Sequence, residues 1–254
     1  MRKVIISALT AVGLTAAATG ALASGGPAIE KQSWSWQGVF GTYDRGALQR
    51  GWQIYSTICA SCHSMDLLYY RNLMEIGFTE EQVKTIAAGY EVTDGPNDNG
   101  EMFTRPARLS DPLKAPFANE QAARAANNGA YPPDLSLIAK ARPGGPDYAY
   151  ALLTGYKETP PAGFALMEGM YYNEAFPGHQ IAMPAQLYEG SVTYADGTPA
   201  TIEQMGKDIV SFLNFAAQPE LEARKALGVK VMLFLLVLTG MMYALKRKIW
   251  ADVH

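Results

Sequence analysis

Cys59, Cys62 and His63 stand in the order Cys-x-x-Cys-His, the grouping in this 254-residue chain best suited to chemistry. Two thiols at that spacing can each bond one vinyl group of a single porphyrin. The adjacent imidazole then falls beneath the iron as its proximal ligand. The motif uses both cysteines of the chain and one of its three histidines. Three other uses of the pair compete with this one. A redox dithiol expects a βαβ context, whereas the flanking sequence shows helical spacing broken by Gly and Pro. A zinc centre needs four ligands, and His179 and His254 are the only other histidines. A structural disulfide between Cys59 and Cys62 is the third. The trailing histidine and an N-terminal export signal favour one covalently attached haem c, bound through Cys59 and Cys62.

An electron-transfer haem takes a second axial ligand, usually His or Met. His179 and Met183 both lie in the segment Phe176-Pro-Gly-His-Gln-Ile-Ala-Met-Pro184. Met183, followed by Pro184, suits a ligand on a stiff extended loop, and a thioether raises the potential relative to a second imidazole. Spacing leaves both residues open and prefers Met183, with an exposed loop position as the ordinary fate of His179. Met232, Met241 and Met242 fall in an apolar terminal segment, Met1 in the leader, and Met65 too close to Cys62.

The elements that must position these residues are mainly helical. Leu48, Trp52 and Tyr55 recur at helical spacing in 44–58, leading into the motif. A second helix is expected over 67–76, closed by Gly77. Thr79 and Gln82 form a capping-box signature for a third, ending near Gly89. Residues 91–101 read as a loop by composition. Helices follow over 119–127 and 147–153. The stretch 156–184, rich in Gly, Pro and Tyr, is long enough that a functional role is expected of it. Thr201 begins an amphipathic helix with Ile202, Met205, Ile209, Phe212 and Leu213 on one side. The fold class expected is mainly α with long loops: a cytochrome c-type haem domain plus one C-terminal transmembrane helix.

Both ends carry membrane signals. Arg2 and Lys3, the apolar run Val4–Leu14 and Ala21-Leu-Ala23 make a secretory leader over 1–23. Residues 226–245 are apolar apart from Lys230 and are long enough to cross a bilayer. Lys246, Arg247 and Lys248 follow at once, which assigns 246–254 to a cytoplasmic tail and 24–225 to an exported domain. Lys230 can snorkel to the outer interface, and Trp250 lies at interfacial depth. The chain has a formal net charge of −3. Six of its 21 basic residues and one of its 24 acidic residues lie in the terminal segments, which leaves the exported domain at −8. That balance favours basic partners over nucleic acid.

Several segments beyond the motif carry a resemblance. Ala126-Asn-Asn-Gly-Ala-Tyr-Pro-Pro-Asp-Leu-Ser136, Arg142-Pro-Gly-Gly-Pro-Asp-Tyr148, Leu152-Leu-Thr-Gly-Tyr156, Ile181-Ala-Met-Pro184 and Asp196-Gly-Thr-Pro-Ala200 run through most of the mature chain. With Cys59–His63 and the terminal anchor, they are similar to the cytochrome c1 family, the haem subunit of bacterial-type bc1 complexes. The resemblance implies Met183 as sixth ligand and Arg142 against a haem propionate. It implies a backbone carbonyl of the Pro132-Pro133 pair on the proximal imidazole, and Tyr148 as a haem-pocket residue. Relatives often carry further prolines after the ligand, which Met183-Pro-Ala-Gln-Leu187 lacks. Some carry a disulfide near these loops; with no spare cysteine, packing alone is expected to hold 156–177 here.

The function implied is a one-electron relay without substrate chemistry of its own. The donor is the Rieske iron–sulfur protein and the acceptor a soluble or tethered cytochrome c. Cytochrome b is a further partner, in a dimeric complex of the bacterial inner membrane with the haem domain in the periplasm. An anchored carrier or a terminal-oxidase haem subunit outside a bc1 complex is the alternative. Glu80, Glu81, Glu91, Asp94, Asp98 and Glu101, against Lys84 alone, form a candidate acidic docking field, with Glu168 and Glu174 in addition.

Overall fold

The side chain of Asp44 accepts from the amides of Gly46 and Ala47 at 2.9 and 3.3 Å and so starts helix α1, Arg45–Thr57. The computed structural model describes residues 27–251, so the leader read over 1–23 lies outside the described residues. After a short turn at the Cys59–His63 motif comes a 3₁₀ stretch, Tyr70–Ile76. It is shorter than the helix expected over 67–76. Leu113 donates to Leu68 O, and Tyr70 and Arg71 donate to Asp111 O and Leu109 O. These pairings engage the backbone that an earlier helix start would use. Gly77 closes the stretch at φ +103°.

The capping box at Thr79 and Gln82 starts α2, Glu80–Ala88. The segment read as a loop over 91–101 contributes a strand. β1, Glu91–Asp94, pairs antiparallel with β2, Phe103–Pro106. This hairpin has no apolar alternation to announce it. Arg105 holds it instead, with ion pairs to Asp94 and Asp111. Asn119 caps α3, Glu120–Ala126. The short α4, Ile138–Ala141, lacked a sequence signal, and α5, Gly145–Thr154, follows it. Two two-residue strands, β3 Tyr171–Tyr172 and β4 Gln180–Ile181, pair within the long loop region.

Thr201 caps α6, Ile202–Ala217, whose middle and end are buried. α1 packs along α6, and α4 and α5 also pack against it. Trp52 and Tyr55 meet Phe212 at centroid distances of 5.8 Å. Gly51 permits this crossing, because a Cβ there would collide with Asp208 O and Phe212 Cβ. Arg50 grips the wholly buried Asp208 with two hydrogen bonds of 2.9 Å and reaches Asp196 at 2.7 Å. A buried carboxylate requires such a partner.

A three-residue turn leads to α7, Leu221–Ile249, which runs beyond both ends of the apolar segment 226–245. Its first turns belong to the domain. Glu222 accepts from Tyr43 N at 2.7 Å and pairs with Arg45 at 2.7 Å, while Leu221 is buried. From Leu227 onward most of its large apolar side chains are exposed, so the protein leaves that face for another apolar medium.

Candidate haem site

The turn after α1 brings the motif to the wall of a cavity of about 650 Å³. The amides of Cys62 and His63 both bond Cys59 O, at 3.1 and 2.9 Å, so the two thiols and the imidazole come from one tight turn. The thiols are not bonded to each other. Among the described residues no group of three or more His, Cys, Asp and Glu side chains could hold a metal ion.

On the proximal side, His63 Nδ1 lies 2.7 Å from Pro133 O. A proton on Nδ1 makes that bond and leaves the Nε2 lone pair for a metal. Burial holds the imidazole below its ordinary pKa against the opposing Pro133 bond and Asp134 charge, so the neutral, ligating form prevails at pH 7. Burial also pushes the Cys59 thiol up to about 12.

The Pro133 carbonyl is itself fixed by its neighbour. Asp134 accepts from Ser64 Oγ, Asp66 N and Ser136 N, each at 2.8 Å. Leu135 N adds a 2.9 Å bond to Ser64 O. Burial works against ionisation of Asp134, but these bonds outweigh it and hold the carboxyl below the usual range. Asp134 ties the segment after the motif to the segment that orients its imidazole. Sequence reading missed this role. A short polar side chain beside Pro-Pro reads as a turn residue.

Met183 lines the same cavity, whereas His179 is absent from the lining. His179 stacks on Tyr172 at 5.8 Å, with Phe164 at 6.4 Å edge-on. It adopts a left-handed φ of +57°, and its Nδ1 sits 3.3 Å from Asn173 O.

The loop that carries Met183 depends on two side chains that the sequence did not single out. Tyr156 Oη donates to Met183 O at 2.9 Å. Burial raises its pKa far above normal, so the phenol keeps its proton. Asn173, fully buried, donates to Leu152 O at 2.8 Å and accepts from Ala175 N and Phe176 N at 2.9 and 3.1 Å. Tyr156 and Asn173 also pair through the backbone. The expectation that packing alone holds 156–177 is therefore corrected: buried hydrogen bonds hold it, because their polar groups have no water to turn to.

Arg142 and Tyr148 both line the cavity. The Arg142 guanidinium donates only a long 3.4 Å bond to Ala141 O, which leaves most of its donors uncommitted. Burial raises the Tyr148 pKa against the opposing Arg142 charge. The rest of the lining is largely apolar, including Ile58, Leu135, Leu152 and Leu213. A planar macrocycle with two thioether links, one imidazole, one thioether sulfur and acidic substituents fits this donor set and volume.

The acidic field is partly neutralised. Glu80 pairs with Lys84 at 2.6 Å and Asp94 with Arg105. Glu174 lies 3.6 Å from Lys157. None of the eight acidic residues proposed for docking lines the cavity.

A profile described as the Cytochrome C1 family matches residues 34–253. The chain is similar to cytochrome c1 of Rhodospirillum rubrum, 50% identical over 270 residues that cover 100% of this chain and 99% of that one. It is 50% identical over 242 residues to a cytochrome b/c1 of Bradyrhizobium diazoefficiens, covering 87% of this chain and 35% of that protein. It is 47% identical over 245 residues to the mitochondrial cytochrome c1 haem protein of Saccharomyces cerevisiae, covering 96% and 77%.

Proposed function

This chain belongs to the cytochrome c1 family, and we propose that it relays single electrons from a Rieske iron–sulfur protein to a soluble or tethered cytochrome c. Family membership carries the coarser statement, that it is an electron-transfer haem subunit of a bc1 complex. The observation that carries the finer reading is the cavity shared by Cys59, Cys62, His63 and Met183. Bound there, a haem c supplies an iron centre that cycles by one electron.

The chain's residues hold and tune that centre. Cys59 and Cys62 anchor it covalently. His63 ligates through Nε2 while Pro133 O fixes its ring. Met183, on a loop held by Tyr156, would offer its thioether sulfur to the iron. The apolar lining excludes water, which stabilises the less charged reduced state. Arg142 and Tyr148 offer donors to the propionates.

The proposed arrangement in the membrane is supported by the apolar α7 and by the charge pattern of the sequence. Residues 1–23 act as a cleaved leader, 24–225 form the periplasmic domain, 226–245 span the bacterial inner membrane once, and 246–254 face the cytoplasm. Cytochrome b is the natural membrane partner, a reading supported by the relative whose name joins b and c1. The complex is read as a dimer.

Purification from the membrane, with subunit identification and a redox-titrated difference spectrum, tests the whole reading. The expected result is a c-type band titrating with one electron, co-purifying with a multi-span b-type cytochrome and an iron–sulfur protein. An alkaline pyridine spectrum without a c-type band sinks the haem claim.

A further inference from the structure

The segment Trp34–Tyr43 has an apolar core and an apolar tip that face opposite ways. Trp34, Trp36 and Tyr43 are buried, with Trp34 stacked on Trp36 at 4.8 Å and Trp36 against Tyr43 at 5.5 Å. Between them, Val39 and Phe40 are 63% and 85% exposed. No large hydrophobic side chain among the described residues is more exposed than Phe40, those of α7 included. Scattered exposed apolar residues are ordinary on soluble proteins. Two in succession also occur at Met102–Phe103 and Leu166–Met167; what sets Val39–Phe40 apart is the closure of its tip onto α7.

The base is immobilised on α7. Lys225 Nζ donates to Trp36 O at 2.5 Å and to Gly41 O at 2.9 Å, closing both ends of the tip onto the second turn of that helix. Tyr43 N bonds Glu222 at 2.7 Å one turn earlier. Leu227, two residues beyond Lys225, begins the exposed apolar surface of α7. Lys230, where an ammonium reaches the interface, lies five residues or about 7.5 Å beyond Lys225 at helical rise. That is comparable with the depth of one headgroup layer. Two of the nearby basic side chains are paired with acids, Arg45 with Glu222 and Arg224 with Glu220, and Lys225 commits its ammonium to the two carbonyls.

We propose that the Val39–Phe40 tip enters the lipid interface beside α7, as a second membrane contact of the exported domain. A single helix leaves a domain free to swivel about its exit point. A tip clamped to the helix base and inserted beside it fixes the tilt of the domain, and with it the height of the haem cavity above the membrane. This rests on reading α7 as a membrane span.

The test uses the haem-loaded full chain in phosphatidylcholine–phosphatidylglycerol vesicles, and the intact complex in the same lipid. In the loaded protein Cys59 and Cys62 are consumed, so Phe40→Cys carries the only free thiol and can be spin-labelled. Asn99→Cys, on the exposed hairpin, and Leu236→Cys, in mid-span, serve as references. Relaxation by dissolved oxygen is compared with relaxation by an aqueous nickel chelate. The expected oxygen-to-nickel ratio at position 40 is several-fold above that at 99 in both preparations. A ratio equal to that at 99, with 236 lipid-like, overturns the tip contact and leaves the span intact. A water-like ratio at 236 overturns the span as well. Lipid-like behaviour in vesicles that turns inaccessible to both reagents in the complex assigns the tip to another subunit and overturns the lipid contact.

Discussion

The two sides of the haem cavity are built differently. The proximal side is a short lattice. Three 2.8 Å bonds converge on Asp134, a backbone bond joins Leu135 to Ser64, and the His63 ring is fixed on Pro133 O. Removing one bond leaves the others to hold the ring. On the side proposed as distal a long loop leads to Met183, and a single side-chain hydrogen bond, from Tyr156, holds its backbone there. A thioether is also a weaker donor than an imidazole and favours ferrous iron. With Met183 as ligand, tuning and loss of ligation are expected to concentrate on the Met183 side, while the His63 side carries stability.

The largest expected effect comes from removing the distal ligand. Met183→Ala should keep the covalent haem, lose the weak sulfur–iron charge-transfer band and lower the midpoint potential by on the order of 0.2 V, a fraction of the roughly 0.8 V that axial ligands span. His179→Ala should leave both unchanged, since its ring stacks on Tyr172 outside the cavity lining. The reverse pattern in a redox titration would make His179 the ligand and dissolve the contrast.

The proximal lattice is tested through Asp134→Ala. It leaves two backbone amides and the Ser64 hydroxyl without their acceptor, a loss of about 2–4 kcal/mol, read as a lower denaturation midpoint. The potential should move far less than in Met183→Ala. A large potential shift with unchanged stability would show that the proximal side tunes rather than braces.

Tyr156→Phe sharpens the distal half. Losing one buried hydrogen bond costs about 1 kcal/mol, which corresponds to roughly a fivefold larger population with Met183 displaced. Carbon monoxide binding to the reduced protein should rise accordingly, with a weaker charge-transfer band. Wild-type reactivity would mean that packing alone holds the loop.

The smallest effect is expected far from the cavity, in the hairpin of β1 and β2. The Arg105 hydrogen bond holds the Asp111 carboxyl below its usual range. A carboxyl depressed in the native state stabilises fully above its unfolded value of about 4 and ceases to as pH falls through the native value. Amide exchange over 91–106 should therefore quicken below about pH 4, while the haem spectrum changes later. Loss of the spectrum first would break the separation between hairpin and site.

The sequence alone determined much of this protein. Cys59, Cys62 and His63 are contiguous, and a motif within one turn needs no tertiary information to be read. The helix starts at Asp44, Thr79 and Thr201 were legible because capping is local chemistry. The apolar stretch of α7 was legible because a span is set by length and composition. The hairpin was not, since an ion pair from Arg105 and not alternation holds it. Nor were Asp134, Tyr156 and Asn173, whose roles lie in partners 21 to 70 residues distant in the chain. The choice between His179 and Met183, four positions apart on one loop, was open to spacing. The turn at Asn173 and the left-handed backbone at His179 send the imidazole to an aromatic stack while Met183 lines the cavity, which supports Met183. Only a folded chain brings such groups together, because a buried polar atom accepts whichever partner the packing leaves within reach.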